Sequence, residues 1–303
     1  MVRPARFGLN PATAGSNAFQ ARSVDQPIAT IRKRVLQEFE ALAAALTAAG
    51  VEVCVANDTA EPEKPDAIFP NNWVSFHADG TVVLYPLLAP NRRWERRLEV
   101  LEQLAASHGF RIGRTIDLSP HENSGEYLEG TGSLVLDRVH RLAFAALSPR
   151  TQLDALGDFA QQLDYEIVSF EAFDSQGVAI YHTNVLMCVG ERFVVLCSQS
   201  IADEARRAAV IRILENSGHE VIDISPQQMA AFAGNLLELE DRNGGKVIAM
   251  SESALRSLEP EQRAQLERQG RIVAVPIPTI EKYGGGSVRC MLAEIHLPRR
   301  PTR

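Results

Sequence analysis

The chain has 303 residues, 45% hydrophobic and 23% charged, so it can bury a large core and lacks the composition of a disordered segment. Its formal net charge of −7 and pI near 5.6 exclude the basic face that a nucleic-acid partner needs and disfavour an anionic membrane surface. No run approaches the roughly 18 apolar residues of a membrane span, and the start Met1-Val2-Arg3-Pro4-Ala5-Arg6-Phe7 lacks the apolar stretch of a secretory signal, so a cytoplasmic location is expected.

Helical periodicity with charged outer faces runs over 29–49, 91–108, 150–163, 200–217 and 251–269. Gly50, Gly109, Gly218 and Gly270 follow four of these segments, where a C-terminal cap is expected. The basic run from Asn91 to Arg97 reads as a solvated helix face. Paired strand-like runs lie between the helices: 71–86, 130–147, 183–198 and 234–250, each folded at a short polar turn. A further strand follows the helices, as in 165–170, 219–224 and 271–277.

The chain therefore repeats strand, turn, strand, helix, strand. The polar residues opening successive hairpins are Asn71, Glu129, His182, Asn235 and Cys290, at intervals of 58, 53, 53 and 55 residues. No such unit buries its apolar face alone. Five ββαβ-like units predict a closed, roughly five-fold arrangement with the hairpin mouths facing one centre, where those residues converge. Without a Pro/Gly/Ser-rich linker, residues 1–303 are read as one domain.

Cys54, Cys188 and Cys197 lie in apolar runs and need no role beyond that of small hydrophobes. Cys290 differs, because Gly284-Gly285-Gly286 precedes it and lets the backbone approach a ligand. It is a candidate nucleophile, with an inert strand cysteine as the other reading. His182 suits proton transfer near neutral pH, or is a structural histidine bonded to backbone. Glu129, flanked by glycine before a buried strand, suits an N–H-rich ligand. The cysteines form no metal pattern, and His121-Glu122 matches no ligand spacing. Neither metal nor organic cofactor is expected.

With these residues in place, the sequence resembles the pentein, or guanidino-modifying, superfamily of arginine deiminases, dimethylarginine hydrolases and amidinotransferases, and most resembles its citrulline-utilisation hydrolases. The resemblance runs from Asn10 to Gln20 through to the C-terminal GGGSVRCMLAEIHLPR. It implies a five-bladed α/β propeller and assigns Cys290 as nucleophile, His182 as acid/base and Glu129 as the substrate-orienting carboxylate. It implies that Arg150, in Ser148-Pro149-Arg150-Thr151, holds a substrate carboxylate, with Arg93 assisting.

The chain departs from these relatives by carrying Asn71-Asn72 where they have Arg-Asp or Glu-Asp, and His182-Thr183-Asn184 where many have His-x-Asp. Those aspartates pair with a substrate guanidinium. Their replacement predicts a neutral ureido group, with Asn71, Asn72, Asn184 and Asn235 lining its site and citrulline as the amino-acid substrate. The alternatives are a deiminase or dihydrolase acting on arginine or an acylated arginine, and a non-catalytic binding module. The oligomeric state, and a lid formed by Asn17, Phe19 and Gln20 or by the glycine-rich loop, are left open.

Overall fold

The computed structural model describes residues 1–300. Strand β1 (Val2–Arg3), helix α1 (Ile28–Ala48) and strand β2 (Ala56–Asn57) come first. β1 and β2 pair in parallel, with Val2 opposite Ala56. Four units follow, and in each an antiparallel hairpin leads through helix to a third strand parallel to the second.

Unit one comprises β3 (Val74–Phe76), β4 (Thr81–Leu84), α2 (Leu98–Ser107) and β5 (Arg114–Asp117). Unit two begins with the short turn α3 (Gly130–Ser133), then β6 (Val135–Asp137), β7 (Leu142–Leu147), α4 (Leu153–Leu163) and β8 (Glu166–Glu171). Unit three repeats this with α5 (Thr183–Leu186), β9 (Met187–Val189), β10 (Phe193–Leu196), α6 (Glu204–Asn216) and β11 (Glu220–Asp223). In unit four, α7 (Pro226–Ala230) precedes β12 (Leu237–Glu240) and β13 (Lys246–Ser251); α8 (Glu252–Ser257), α9 (Pro260–Gln269) and β14 (Arg271–Val275) complete it. α10 (Pro278–Gly284) leads into the C-terminal segment.

The second strand of each hairpin lies in the middle of its sheet. β4 (TVVL) and β10 (FVVL) are buried throughout, and β7 (LAFAAL) nearly so. Covered on both faces, such strands read as continuous apolar runs instead of alternating. Helix α4 buries Ala155, Leu156, Phe159 and Leu163, one face at helical spacing.

Core clusters run across unit boundaries and close the ring. One joins Val2 and Ala56 to Trp73 and Val74 of unit one. A second joins Val83 and Tyr85 to Leu134 and Phe159 of unit two. A third links Phe144, Met187 and Ile248 of units two, three and four. The last returns from Val247 and Ala249 to Phe39 and Leu42 of α1. Four of the five expected ββαβ units are observed; the fifth position is filled by the two-stranded β1–β2 sheet with α1 and the C-terminal segment that carries Cys290. Among the described residues no helix is long and apolar enough to cross a membrane.

Three expectations need correction. The helix expected over 91–108 is a 3-10 turn (Pro90–Glu95) followed by α2. Its break coincides with Arg92 turning inward to Glu95 while Arg93 and Arg96 pair with Glu122, so this basic run is no solvated face. The helix expected over 251–269 divides at Leu258–Glu259, because Pro260 restricts the residue before it to extended backbone. The strand expected at 291–296 forms no ladder, and its Leu292 carbonyl is taken by Arg289 Nη1 at 3.0 Å.

Phe159 lies 6.2 Å from Tyr85 and 5.6 Å from Tyr165 between ring centroids, tying unit two to unit one. Phe159→Ala should therefore cost about 3–5 kcal/mol, read as a lower urea midpoint with little change in slope.

Candidate active site

Each hairpin-opening residue is placed by a local turn. Asn71 lies in a 3-10 turn (Pro70–Asn72), Glu129 precedes α3, His182 precedes α5, Asn235 stands just ahead of β12, and Cys290 sits in a 3-10 turn (Val288–Met291). All five are buried. Their approach depends on glycine. A Cβ at Gly130, where φ is +49°, would strike the Asn71 carbonyl. One at Gly132 would come within 2.5 Å of Asn72 Nδ2 and 2.7 Å of His182 Nδ1.

Two amides face the sulfur of Cys290. Asn235 Nδ2 is 3.3 Å from Sγ and Asn184 Nδ2 is 3.5 Å away, while Asn235 Nδ2 also donates to the Asn184 carbonyl at 2.8 Å. Donors so placed stabilise negative charge on sulfur. Arg289 is turned away, bonded to the Leu292 carbonyl and to Glu294 at 3.1 Å.

Glu129 and His182 form the second half of the site. His182 Nε2 donates to Glu129 Oε2 at 2.8 Å, since a carboxylate only accepts. That leaves Nδ1 as the free base of the neutral ring, on the side of Gly132 and Asn72. Glu129 Oε1 accepts from the Leu88 N–H at 3.1 Å. Its Oε2 also meets Arg150 Nη1 at 3.3 Å and Arg92 Nη1 at 3.4 Å. Burial pushes this carboxyl up, but Arg150, the His182 hydrogen bond and Arg92 outweigh it and hold it well below the usual carboxylate range. Burial pushes His182 down to about 4, against the opposing pull of Glu129. At neutral pH the pair is a carboxylate beside a neutral imidazole.

Arg92 was not singled out by the sequence, and Arg93 was. The Arg92 side chain is 2% exposed and that of Arg93 31%. Arg92 bonds Glu95 through two nitrogens at 2.9 Å, and Asn72 Oδ1 at 2.9 Å. Asp66 lies 3.5 Å away. Arg93 instead reaches the Leu87 carbonyl and Glu122, outside the site. Two adjacent arginines in one helical pattern carry no signal for which turns inward. Asp66 and Glu95 were missed likewise, because a buried acid looks like any surface acid in a sequence. His121 and Glu122 go separate ways, to Asp158 and to Arg96.

The N-terminal segment covers the site. Arg150 Nη2 donates to Ser16 Oγ at 2.8 Å and to the Thr13 carbonyl at 3.4 Å, with its guanidinium 5.0 Å from the Tyr181 ring. Asn17 and Gln20 bond carbonyls of Gly284 and Tyr283, and Phe19 packs between Tyr181 and Phe232. Of the residues left open as a lid, Asn17 and Gln20 thus contact the glycine-rich loop or the residue before it directly.

Four amide atoms here have no hydrogen-bond partner among the described residues: both of Asn71, Asn72 Nδ2 and Asn184 Oδ1. Neighbours fix the orientation of two of these amides. Arg92 can only donate, so Asn72 Oδ1 faces it, and Asn184 turns its Nδ2 toward sulfur. The site therefore offers a buried donor and a buried acceptor without partners, and each such group is costly to leave unpaired.

A sequence profile described as N,N dimethylarginine dimethylhydrolase, eukaryotic, matches residues 3–297. No curated protein matches significantly. Several solved structures share the fold. The N-terminal domain of ArgZ, solved with a covalently bound reaction intermediate, superposes with TM-score 0.73 at 17% identity over 98% of each chain. ArgZ is described as an arginine dihydrolase from cyanobacteria. Unliganded AgrE gives TM-score 0.73 at 18% identity, covering 99% of this chain and 39% of that one. An adduct of dimethylarginine dimethylaminohydrolase with S-methyl-L-thiocitrulline gives 0.63 at 15% identity over 96% of each. At these identities the structural likeness carries the fold alone, and that fold is the pentein fold anticipated from the sequence.

Gly132→Ala should displace His182 and cut turnover by about 10²-fold or more while leaving the far-ultraviolet circular dichroism unchanged. The imidazole takes a proton less readily in the folded protein than in the unfolded chain, so the unfolded chain binds that proton first. Stability from this group is complete above pH 6.5 and falls as pH drops toward 4. Denaturant unfolding across that window should show a slope approaching one proton, and His182→Gln should remove it.

Proposed function

The chain belongs to the N,N dimethylarginine dimethylhydrolase family, whose members hydrolyse guanidino C–N bonds, and we propose that it is a cysteine-dependent hydrolase of a ureido group, converting citrulline to ornithine. The observation that carries the choice of substrate is the state of Glu129. Its oxygens are already engaged by His182, Arg92, Arg150 and the Leu88 N–H. Arg92 and Arg150 already lie against the carboxylates of the centre, Glu129, Asp66 and Glu95, so an arriving guanidinium meets two cations as well, and an uncompensated buried cation is expensive. A ureido group brings no charge. Its oxygen can accept from Asn72 Nδ2 and its N–H groups can donate to Asn184 Oδ1, two of the four amide atoms without partners.

In this mechanism the Cys290 thiol passes its proton to neutral His182 and the thiolate attacks the ureido carbon, with the Asn184 and Asn235 amides stabilising charge on sulfur. The C–N bond to ornithine breaks, and His182 returns the proton to the departing nitrogen. His182 then takes a proton from water, the hydroxide attacks the carbamoyl thioester, and the thiolate leaves. Carbamate is released and decays to ammonia and carbon dioxide. Glu129 fixes the imidazole tautomer, and Arg150 is placed to receive the substrate carboxylate once the N-terminal segment yields it.

A second reading, an arginine dihydrolase, is favoured by the likeness to ArgZ. It shares the citrulline step and differs in accepting arginine first.

Incubation with L-citrulline, L-arginine and N,N-dimethylarginine separately should yield ornithine and ammonia from citrulline alone. Cys290→Ala should lose this turnover by about 10³-fold or more while remaining folded. Ornithine from arginine would establish the dihydrolase. Asn72→Asp with Asn184→Asp should raise kcat/KM for arginine relative to citrulline; an unchanged ratio would remove the asparagines from substrate choice.

A further inference from the structure

A second cluster of ligating side chains lies at the far end of β6 from Glu129, where units two and three meet. Asp137 ends β6, His140 stands in the β6–β7 turn, and His219 immediately precedes β11. One ligand atom from each lies within 4.8 Å of the other two. Asp137 Oδ2 is 2.7 Å from His140 Nδ1 and 3.8 Å from His219 Nε2. The two rings meet edge to face at 73°, with centroids 5.8 Å apart.

Two of the three donors are oriented from behind. His219 Nδ1 lies 3.3 Å from the Leu214 carbonyl, so Nδ1 carries the proton and Nε2 turns its lone pair toward Asp137. At 3.8 Å that pair is too long for a hydrogen bond, and Nε2 has no other partner among the described residues. Asp137 Oδ1 accepts the Val139 and His140 N–H groups at 3.1 and 3.0 Å, which leaves Oδ2 facing both rings. A histidine donating its second nitrogen to a backbone carbonyl, beside a carboxylate anchored by its other oxygen, is the outer support that metal ligands use.

A simple turn cap explains Asp137 and His140 but leaves His219 Nε2 aimed at Asp137 Oδ2 from 3.8 Å without a hydrogen-bond partner among the described residues. We propose that Asp137, His140 and His219 form a site for Zn²⁺ or a similar borderline transition ion, which staples unit two to unit three. Two imidazoles and one carboxylate select such ions over Mg²⁺ and Ca²⁺, and three protein ligands leave a position for water. His140 would release Nδ1 to the metal by moving its proton to Nε2, so binding needs no redox partner.

The test uses zinc alone, titrated against the Cys290→Ser protein so that the catalytic thiol contributes nothing. One zinc should bind per chain. His140→Ala, at an exposed ring that does not endanger folding, should weaken it about tenfold or more, and His219→Gln should do the same. At zinc about a hundredfold above Kd, the folded-to-unfolded ratio should rise about 100-fold, and this gain should vanish in His140→Ala. The proposal fails if no zinc binds. It fails equally if both variants retain it, or if Cys54→Ser alone removes it, which would place the ion among Glu52, Cys54 and His108.

Discussion

Glu129 has no exposed surface, yet it remains ionised because two guanidiniums and an imidazole N–H surround it. Stripping a carboxylate of water costs several kcal/mol unless charge and hydrogen bonds replace the solvent. Much of the centre follows from meeting that demand. Arg92 is drawn inward from a basic run and needs Glu95 and Asp66 behind it. Burial pushes Glu95 up to about 7 and raises Asp66 as well, despite Arg92. Arg150 is shared with Ser16 and Thr13, which carries the N-terminal segment across the site.

The same network sets the chemistry. A carboxylate held in its charged form gives His182 a fixed tautomer, with Nε2–H committed and Nδ1 free. Burial keeps that ring neutral, so it can take a proton from a thiol or from water. The centre holds its own guanidiniums, and the atoms it leaves unpaired include amides of Asn71, Asn72 and Asn184 and Asp66 Oδ1.

Closure of the ring is what brings these residues together. The centre draws on every unit, and the chain ends supply both Cys290 and the covering segment. Each unit contributes one polar residue, and neighbouring units are joined by apolar clusters. Gly130 and Gly132 matter because backbone from units one and two must pass at contact distance beside His182.

Hydrophobic periodicity and turn residues were enough to read the repeat, of which four units fold as expected, and the convergence of Asn71, Glu129, His182, Asn235 and Cys290. Those features depend on local pattern, which a sequence displays directly. The resemblance to a known superfamily then attached roles to three of the five. Tertiary structure alone decided that Arg92 points inward and Arg93 outward, because both occupy one short turn and only its docking against Glu129 separates them. It alone showed that Glu129 is engaged by His182, Arg92, Arg150 and the Leu88 N–H and that Asn72 Nδ2 and Asn184 Oδ1 are unpaired, since hydrogen-bond satisfaction sums over partners dozens of residues apart. The same reason explains why the strand expected after Cys290 forms no ladder: strand propensity is local, whereas a ladder needs a neighbour, and Arg289 had already taken the Leu292 carbonyl.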